Sequence, residues 1–502
     1  MMTAWIRDGK PYFHVRERPR GGGSARLGNG THTSLKFRRP FRTCDPQDMD
    51  ITEDSMRLIY ACSDSVPESP MQMPKHETVY GVLSVQILNY GRKVVPHVGN
   101  SSTLDIVTNF SVPQVDSFYS CKLEQFPTFG RKLHVYMVEP VIKTSVPSLL
   151  YQMILYSCPS SYDQSRLSPT TDCFLNGNST ALFTGCVQVI AIWGIGTKPG
   201  QSLIYPDEAG FSLGAKGDPN FYVLQVHYDN RGNRTGVMDY SGFRLHLTPE
   251  LRRYDAGILW TGIALFHTLL IPAPVPAYRT YGYCDTGPLS QSPNQTVGPL
   301  KVIGGYLHTH LLGSKLRVLR FRAGKQISVV LQDQTFDPAL QEPKFLLEPA
   351  TVERGDVLIT ECTFNTMQRA KMVMGGLDTV NEMCMSFLVY YPRIDIEGCL
   401  SFQNTSTVAA ALGVTASSDD ELYRILDARS WNAEQAADME ARVRDASQSL
   451  FIVADPDIRE GQVKMPEIPK EETTPCVRTL DAGAPARTGL PVALLLTALV
   501  SW

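Results

Sequence analysis

Val302-Ile303-Gly304-Gly305-Tyr306-Leu307-His308-Thr309-His310-Leu311-Leu312-Gly313 is the stretch whose reading decides the fold. The residues before the histidines, and those from Leu311 to Phe321, are rich in strand formers. On a strand, residues i and i+2 project from one face, so His308 and His310 can aim two imidazoles at one point. Neutral imidazole is a ligand for copper, zinc, iron and nickel, whereas a thioether such as Met383, in Glu382-Met383-Cys384, is soft and favours Cu(I). Taken alone, a His-x-His pair also fits an ordinary polar position on a half-exposed strand, and a lone methionine fits a gap in a core.

The same pattern extends outward. Short β-branched or aromatic runs between Gly, Pro and Asn turns recur at 302–305, 315–321, 326–331, 356–363 and 384–391, which reads as an all-β sandwich. Segments of helical period are scarce before about residue 418. Residues 418–450, with Asp419-Asp420-Glu421 ahead of Leu422 and Ile425, predict one or two surface helices. The chain of 502 residues exceeds a single core and implies roughly two to four domains. A hydrophobic content of 43% and a net charge of −3 describe a folded protein with no nucleic-acid surface. No phosphate-binding glycine loop, Ser-His-Asp constellation or zinc CxxC pair is present, and His97, His246 and His267 read as exposed or hydrogen-bonded histidines without a ligand role.

Several longer motifs fall in order: Tyr205-Pro-Asp-Glu-Ala-Gly210, Tyr222-Val-Leu-Gln-Val-His-Tyr228, Tyr306-Leu-His-Thr-His-Leu-Leu-Gly313, Gly355-Asp-Val-Leu-Ile-Thr-Glu-Cys-Thr-Phe-Asn-Thr366 and Gly375-Gly-Leu-Asp-Thr-Val-Asn-Glu-Met-Cys384. From about Phe37 to Gln403 the chain resembles the copper type II, ascorbate-dependent monooxygenases, and within them the dopamine-hydroxylase-like branch. The resemblance implies two consecutive jelly-roll-like β-sandwich domains, at 67–246 and 247–405, with copper facing the cleft between them. Ahead of them, residues 1–66 would be a linker and a truncated remnant of a DOMON sandwich. Residues 406–502 would be a short helical tail ending in a hydrophobic segment. It also implies disulfides Cys121–Cys173, Cys158–Cys186, Cys284–Cys399 and Cys362–Cys384, the last pinning the backbone beside Met383. Cys44 would reach Cys476, leaving Cys62 as a free buried thiol.

By the same resemblance His308, His310 and Met383 would hold the copper at which oxygen is activated, with His308 in the catalytic role, ascorbate as electron donor and O2 as co-substrate. Tyr119, in Phe118-Tyr-Ser-Cys121, matches an active-site tyrosine that would donate a hydrogen bond there or orient substrate; it reads equally as a core tyrosine beside a disulfide. The family's electron-transfer copper uses an adjacent His-His pair and the histidine of Val-His-Tyr. Here that histidine is present as His227, but the pair falls on Tyr151-Gln152. Copper is therefore expected at about one or two ions per chain. Two readings follow: a monooxygenase hydroxylating a small-molecule C–H bond, or an impaired, non-catalytic relative. Tyr306-Leu307 stands where the peptide-amidating branch carries a carboxylate-clamping arginine, which excludes peptide amidation and leaves a phenethylamine-like or other apolar small molecule.

Eleven cysteines and seven Asn-x-Ser/Thr sequons (Asn29, Asn100, Asn109, Asn178, Asn233, Asn294, Asn404) indicate a glycoprotein of the oxidising secretory-pathway lumen or its membrane. The first ten residues supply no signal peptide, so a truncated gene model, an alternative start or a decaying gene is expected. The closing run Leu490–Trp502 is short for a membrane helix, which needs about 20 residues, and reads as a GPI-attachment signal or a marginal tail anchor.

Overall fold

The computed structural model describes residues 2–7, 10–15, 25–28, 33–36, 41–42, 49–62, 79–89, 98–158, 171–173, 186–197, 201–215, 218–265, 268–287, 298–454 and 458–469. Cys44, His97, His267, Cys476, the sequons at Asn29, Asn178 and Asn294, and the closing hydrophobic run lie outside these residues, as does much of the expected DOMON remnant. The chain forms two compact units, Met1–Leu88 with Lys470–Trp502, and Asn89–Pro469. In the first, Ser55–Cys62 pairs antiparallel with Val79–Gln86, and the expected boundary at 66 falls between these paired strands.

Among the described residues the second unit is all-β apart from three short α-helices and one 3-10 turn, Pro147–Leu149, and it has two lobes. The first lobe has a six-stranded sheet, centred on Leu133–Val141 and Gly242–Thr248, and a five-stranded sheet. The five-stranded sheet runs Thr171–Asp172, Ser117–Gln125, Phe221–Asp229, Leu150–Cys158, Gln188–Gly194. Val135, Phe211 and Leu245 of one sheet share a buried cluster with Met153, Leu155 and Val226 of the other, the inward-facing packing of a sandwich. In the second lobe a seven-stranded sheet, carrying Leu300–His308 beside Met385–Tyr391, packs on a four-stranded sheet carrying Val357–Phe364 and Gly313–Arg322.

The Met385–Tyr391 strand shows why the run is apolar at every position but Ser386. Leu388 and Tyr390 point into the second lobe's own core with Leu316, Val318 and Leu358. The alternate residues Met385, Phe387, Val389 and Tyr391 enter the first lobe's cluster, which contains Ile190 and Ile192. With a period of two and both faces covered, positions must be apolar or satisfied internally, as Ser386 is by the Thr261 hydroxyl at 2.7 Å. The lobes therefore share a hydrophobic contact along this strand.

The helical tail starts earlier than expected. Thr405–Leu412, Asp419–Asp427 and Ala433–Asp445 are the helices, capped by Asn404, Ser418 and Asn432. Gln448–Ala454 is not helical. It pairs with Ile396–Phe402 and extends the seven-stranded sheet, with Ile458–Val463 beyond it. The β-branched and aromatic residues of Leu450-Phe-Ile-Val453 suit a half-buried pleated surface better than a helix. Four disulfides join the pairs expected from the resemblance: Cys121–Cys173, Cys158–Cys186, Cys284–Cys399 and Cys362–Cys384. They fit an oxidising lumen. Among the described residues no helix is long and apolar enough to cross a membrane.

Candidate metal centre

His308 is the last residue of the Leu300–His308 strand, and His310 lies just beyond its end. Their rings are nearly perpendicular, 85° apart, with centroids at 5.4 Å. Both are fully enclosed, at 3% and 0% exposure. Met385, the first residue of its strand, is the register partner of His308; Met383 lies two residues before that strand begins, with its side chain buried in the cluster shared by the lobes.

The hydrogen bonds around this pair leave one nitrogen free on each ring. His308 Nδ1 lies 2.6 Å from Gln341 Oε1, and His310 Nδ1 lies 2.9 Å from the Asn381 carbonyl, so each Nδ1–H donates to oxygen. His308 Nε2 and His310 Nε2 are buried and have no hydrogen-bond partner among the described residues. An orphaned buried nitrogen costs about 1–3 kcal/mol unless something else meets it. Burial pushes the His308 imidazole down to about 4 and that of His310 to about 3, so both rings are neutral at lumenal pH with lone pairs available for a metal.

Glu382 completes the frame. Its carboxylate accepts from the backbone N–H groups of His310 at 3.0 Å and Leu312 at 2.7 Å, tying the histidine loop to the Met383 segment. Burial raises its carboxyl to about 8 although those backbone donors pull it down. Among the described residues Glu382 forms no ion pair, and its oxygens are met by the backbone N–H groups of the histidine loop and of Met383. Two orphaned imidazole nitrogens fit copper among the metals that imidazole binds, and the buried Met383 thioether would suit its Cu(I) state.

The first lobe contributes Tyr119, Tyr151, Gln152 and His227. His227 and Tyr119 are register partners on adjacent strands and stack with centroids 3.9 Å apart. Tyr119 spends its hydroxyl on the Leu377 carbonyl of the other lobe at 2.8 Å. His227 Nε2 lies 3.0 Å from Ser117 Oγ, while its Nδ1 is buried without a partner among the described residues. Burial holds this ring, too, well below the usual histidine range. The His227 centroid is 6.0 Å from that of His310 and 5.2 Å from that of Tyr151.

The register slips between Leu150 and Gln152 on the strand facing His227. Such a bulge turns two consecutive side chains toward one side, so Tyr151 and Gln152 both face the second lobe. Tyr151 donates to the Thr309 carbonyl at 3.4 Å and accepts from Gln341 Nε2 at 3.2 Å. Gln152 Nε2 is 3.3 Å from His308 Nδ1. A protonated phenol and an amide are poor partners for Cu(I), and only His227 remains to hold a second ion. Among the described residues no group of three or more His, Cys, Asp or Glu side chains is placed to hold a metal.

Other expectations fall elsewhere. His134 is buried away from this centre against Asp255, and His246 sits 3.2 Å from Glu139. Gln341 and Arg231 were not legible as site residues. Arg231, between Asp229 and Thr379 of the facing lobe, adds positive charge that depresses His227 and His310 after burial has acted.

The family models for the two domains of the copper type II ascorbate-dependent monooxygenases match residues 105–235 (N-terminal domain) and 254–411 (C-terminal domain). The chain belongs to this family. It is 34% identical over 452 residues to DBH-like monooxygenase protein 2 of Mus musculus, covering 89% of this chain and 71% of that protein. To DBH-like monooxygenase protein 1 of Homo sapiens it is 36% identical over 402 residues, or 79% of this chain. To dopamine beta-hydroxylase of Canis lupus familiaris it is 32% identical over 367 residues. The chain spans 63% and 58% of the lengths of these last two relatives.

Proposed function

We propose that this chain holds a single copper at His308, His310 and Met383 and is impaired as a coupled monooxygenase. The carrying observation is that the buried Nε2 atoms of His308 and His310, on rings 5.4 Å apart, have no hydrogen-bond partner among the described residues. Copper there would supply one-electron redox chemistry toward O2, with ascorbate as donor. The protein's own groups exclude water from that point, hold both imidazoles neutral and fix their tautomers through Gln341 and Asn381. Tyr119 is best read as a support for His227, since its hydroxyl already meets Leu377.

The impairment is argued from Tyr151 and Gln152. They occupy the place of the second copper's histidine pair and are engaged with the facing lobe. For substrate, Tyr306 and Leu307 are buried among apolar residues and provide no cation for a carboxylate. An apolar small molecule such as a phenethylamine fits, and a peptide carboxylate does not. The protein is expected in the secretory pathway, glycosylated at exposed sequons.

The test supplies copper, ascorbate and O2 with a phenethylamine and follows hydroxylated product against hydrogen peroxide. Peroxide formed at the expense of ascorbate, abolished in His308→Ala, is the expected result. Stoichiometric hydroxylation, one product per ascorbate consumed, would overturn the reading.

A further inference from the structure

Gln341 stands at the meeting point of the two lobes and of the metal centre. Its Oε1 accepts from His308 Nδ1 at 2.6 Å. Its Nε2 lies 2.9 Å from both the Pro338 and Thr309 carbonyls and 3.2 Å from the Tyr151 hydroxyl. With acceptors crowded on the nitrogen side, the amide can present only its oxygen to His308. Gln152 Nε2, at 3.3 Å from the same Nδ1, would require the opposite tautomer. That tautomer would place a proton on the buried Nε2, where no acceptor exists among the described residues. The shorter contact therefore decides: His308 is protonated on Nδ1 and offers Nε2.

The main chain of Gln341 is seated on the first lobe. Its N–H donates to the Ile195 carbonyl at 2.7 Å. A Cβ on Gly194 would stand 2.6 Å from the Gln341 carbonyl oxygen and 2.8 Å from its Cβ. A Cβ on Gly196, whose φ is +87°, would stand 2.3 Å from the Ala339 oxygen. These glycines are needed because the two backbones approach more closely than any side chain permits.

We propose that Gln341 is a positioning residue for His308, and that the Gly194–Gly196 turn of the opposite lobe holds it in place, so that copper affinity depends on contact between the lobes. This rests on His308 being a copper ligand, yet part of it can be read without metal. In the metal-free full chain carrying 15N-labelled histidine, the His308 tautomer is protonated on Nδ1. Gln341→Leu mixes the two tautomers and lowers Cu(I) affinity, measured by chelator competition, about 10–100-fold, the range typical of lost outer-shell partners. Gly194→Ala touches no ligand and keeps an ordinary backbone, but it pushes the Gln341 loop away and lowers affinity in the same direction. Gly298→Ala, where an added Cβ meets nothing within 4 Å, is the control and leaves affinity unchanged.

A wild-type His308 protonated on Nε2 would overturn the proposal, and so would a folded Gly194→Ala protein with unchanged Cu(I) affinity. If the wild type takes up no copper but shows the Nδ1–H tautomer, lost in Gln341→Leu, the copper assignment fails and the positioning role stands.

Discussion

Replacing Tyr151 and Gln152 together by histidine is expected to raise copper content from about one ion per chain to about two. The bulge at Tyr151 already turns both side chains to the face occupied by His227. Imidazoles sharing one metal through bonds of about 2.0 Å have centroids roughly 5 Å apart, and the Tyr151 ring stands 5.2 Å from that of His227. Without metal the double variant should be less stable. The two hydrogen bonds of the Tyr151 hydroxyl, at 3.2 and 3.4 Å, are long and contribute about 0.5 kcal/mol each. The smaller buried ring forfeits roughly a further 1–2 kcal/mol. The sum is about 2–3 kcal/mol. Copper at 100 times its dissociation constant would restore about 2.7 kcal/mol per added site. The assay is elemental analysis alongside urea unfolding, with and without copper. A variant that folds, still takes up about one copper, and gains no more copper-dependent stability than the wild type would refute the claim that these two positions are what the second site lacks.

Three further outcomes are expected. Asp255 accepts from His134 at 2.7 Å and pairs with Lys132 at 2.6 Å. Burial pushes its carboxyl up, but those partners hold it at about 2. Its stabilisation is complete above about pH 4 and is lost as pH falls through 2; because the side chain is 37% exposed, screening reduces it to about 1 kcal/mol. Asp255→Asn should remove this part of the acid-unfolding curve, and an unchanged profile would contradict it. Breaking Cys362–Cys384, which are 22 residues apart in sequence, with paired alanines should cost about 3 kcal/mol in denaturant unfolding and weaken copper binding by loosening Met383. Glycopeptide mass spectrometry should find glycans at the exposed Asn109 and Asn233 but little at Asn404, whose side chain caps a helix by accepting from the Thr407 N–H at 2.9 Å.

The strands were legible because burial on one or both faces dictates their composition. Met385–Tyr391 and Gln188–Gly194 are almost wholly apolar and buried along their length; the polar exceptions, Ser386 and Gln188, are each hydrogen-bonded. His308, His310 and Met383 stand within motifs, so the candidate ligands could be named before the structure placed them. The Thr405–Leu412 helix went unread although its start and stop signals were present: Asn404 as the cap before it and Gly413 after it, in the left-handed conformation with φ 65°. Its Thr-Ser-Thr-Val-Ala-Ala-Ala-Leu sequence has too weak an apolar stripe to show helical periodicity. Gln341 carried no local signal at all. Its role arises from contacts with residues 33 and 190 positions away in sequence, and only the docking of one lobe on the other creates them.

Copper stoichiometry on the folded, secreted chain, by elemental analysis with His308→Ala beside it, tests the central claim most directly. The account predicts about one copper per chain, lost in the variant. About two coppers in the wild type, or one retained after His308→Ala, would contradict it.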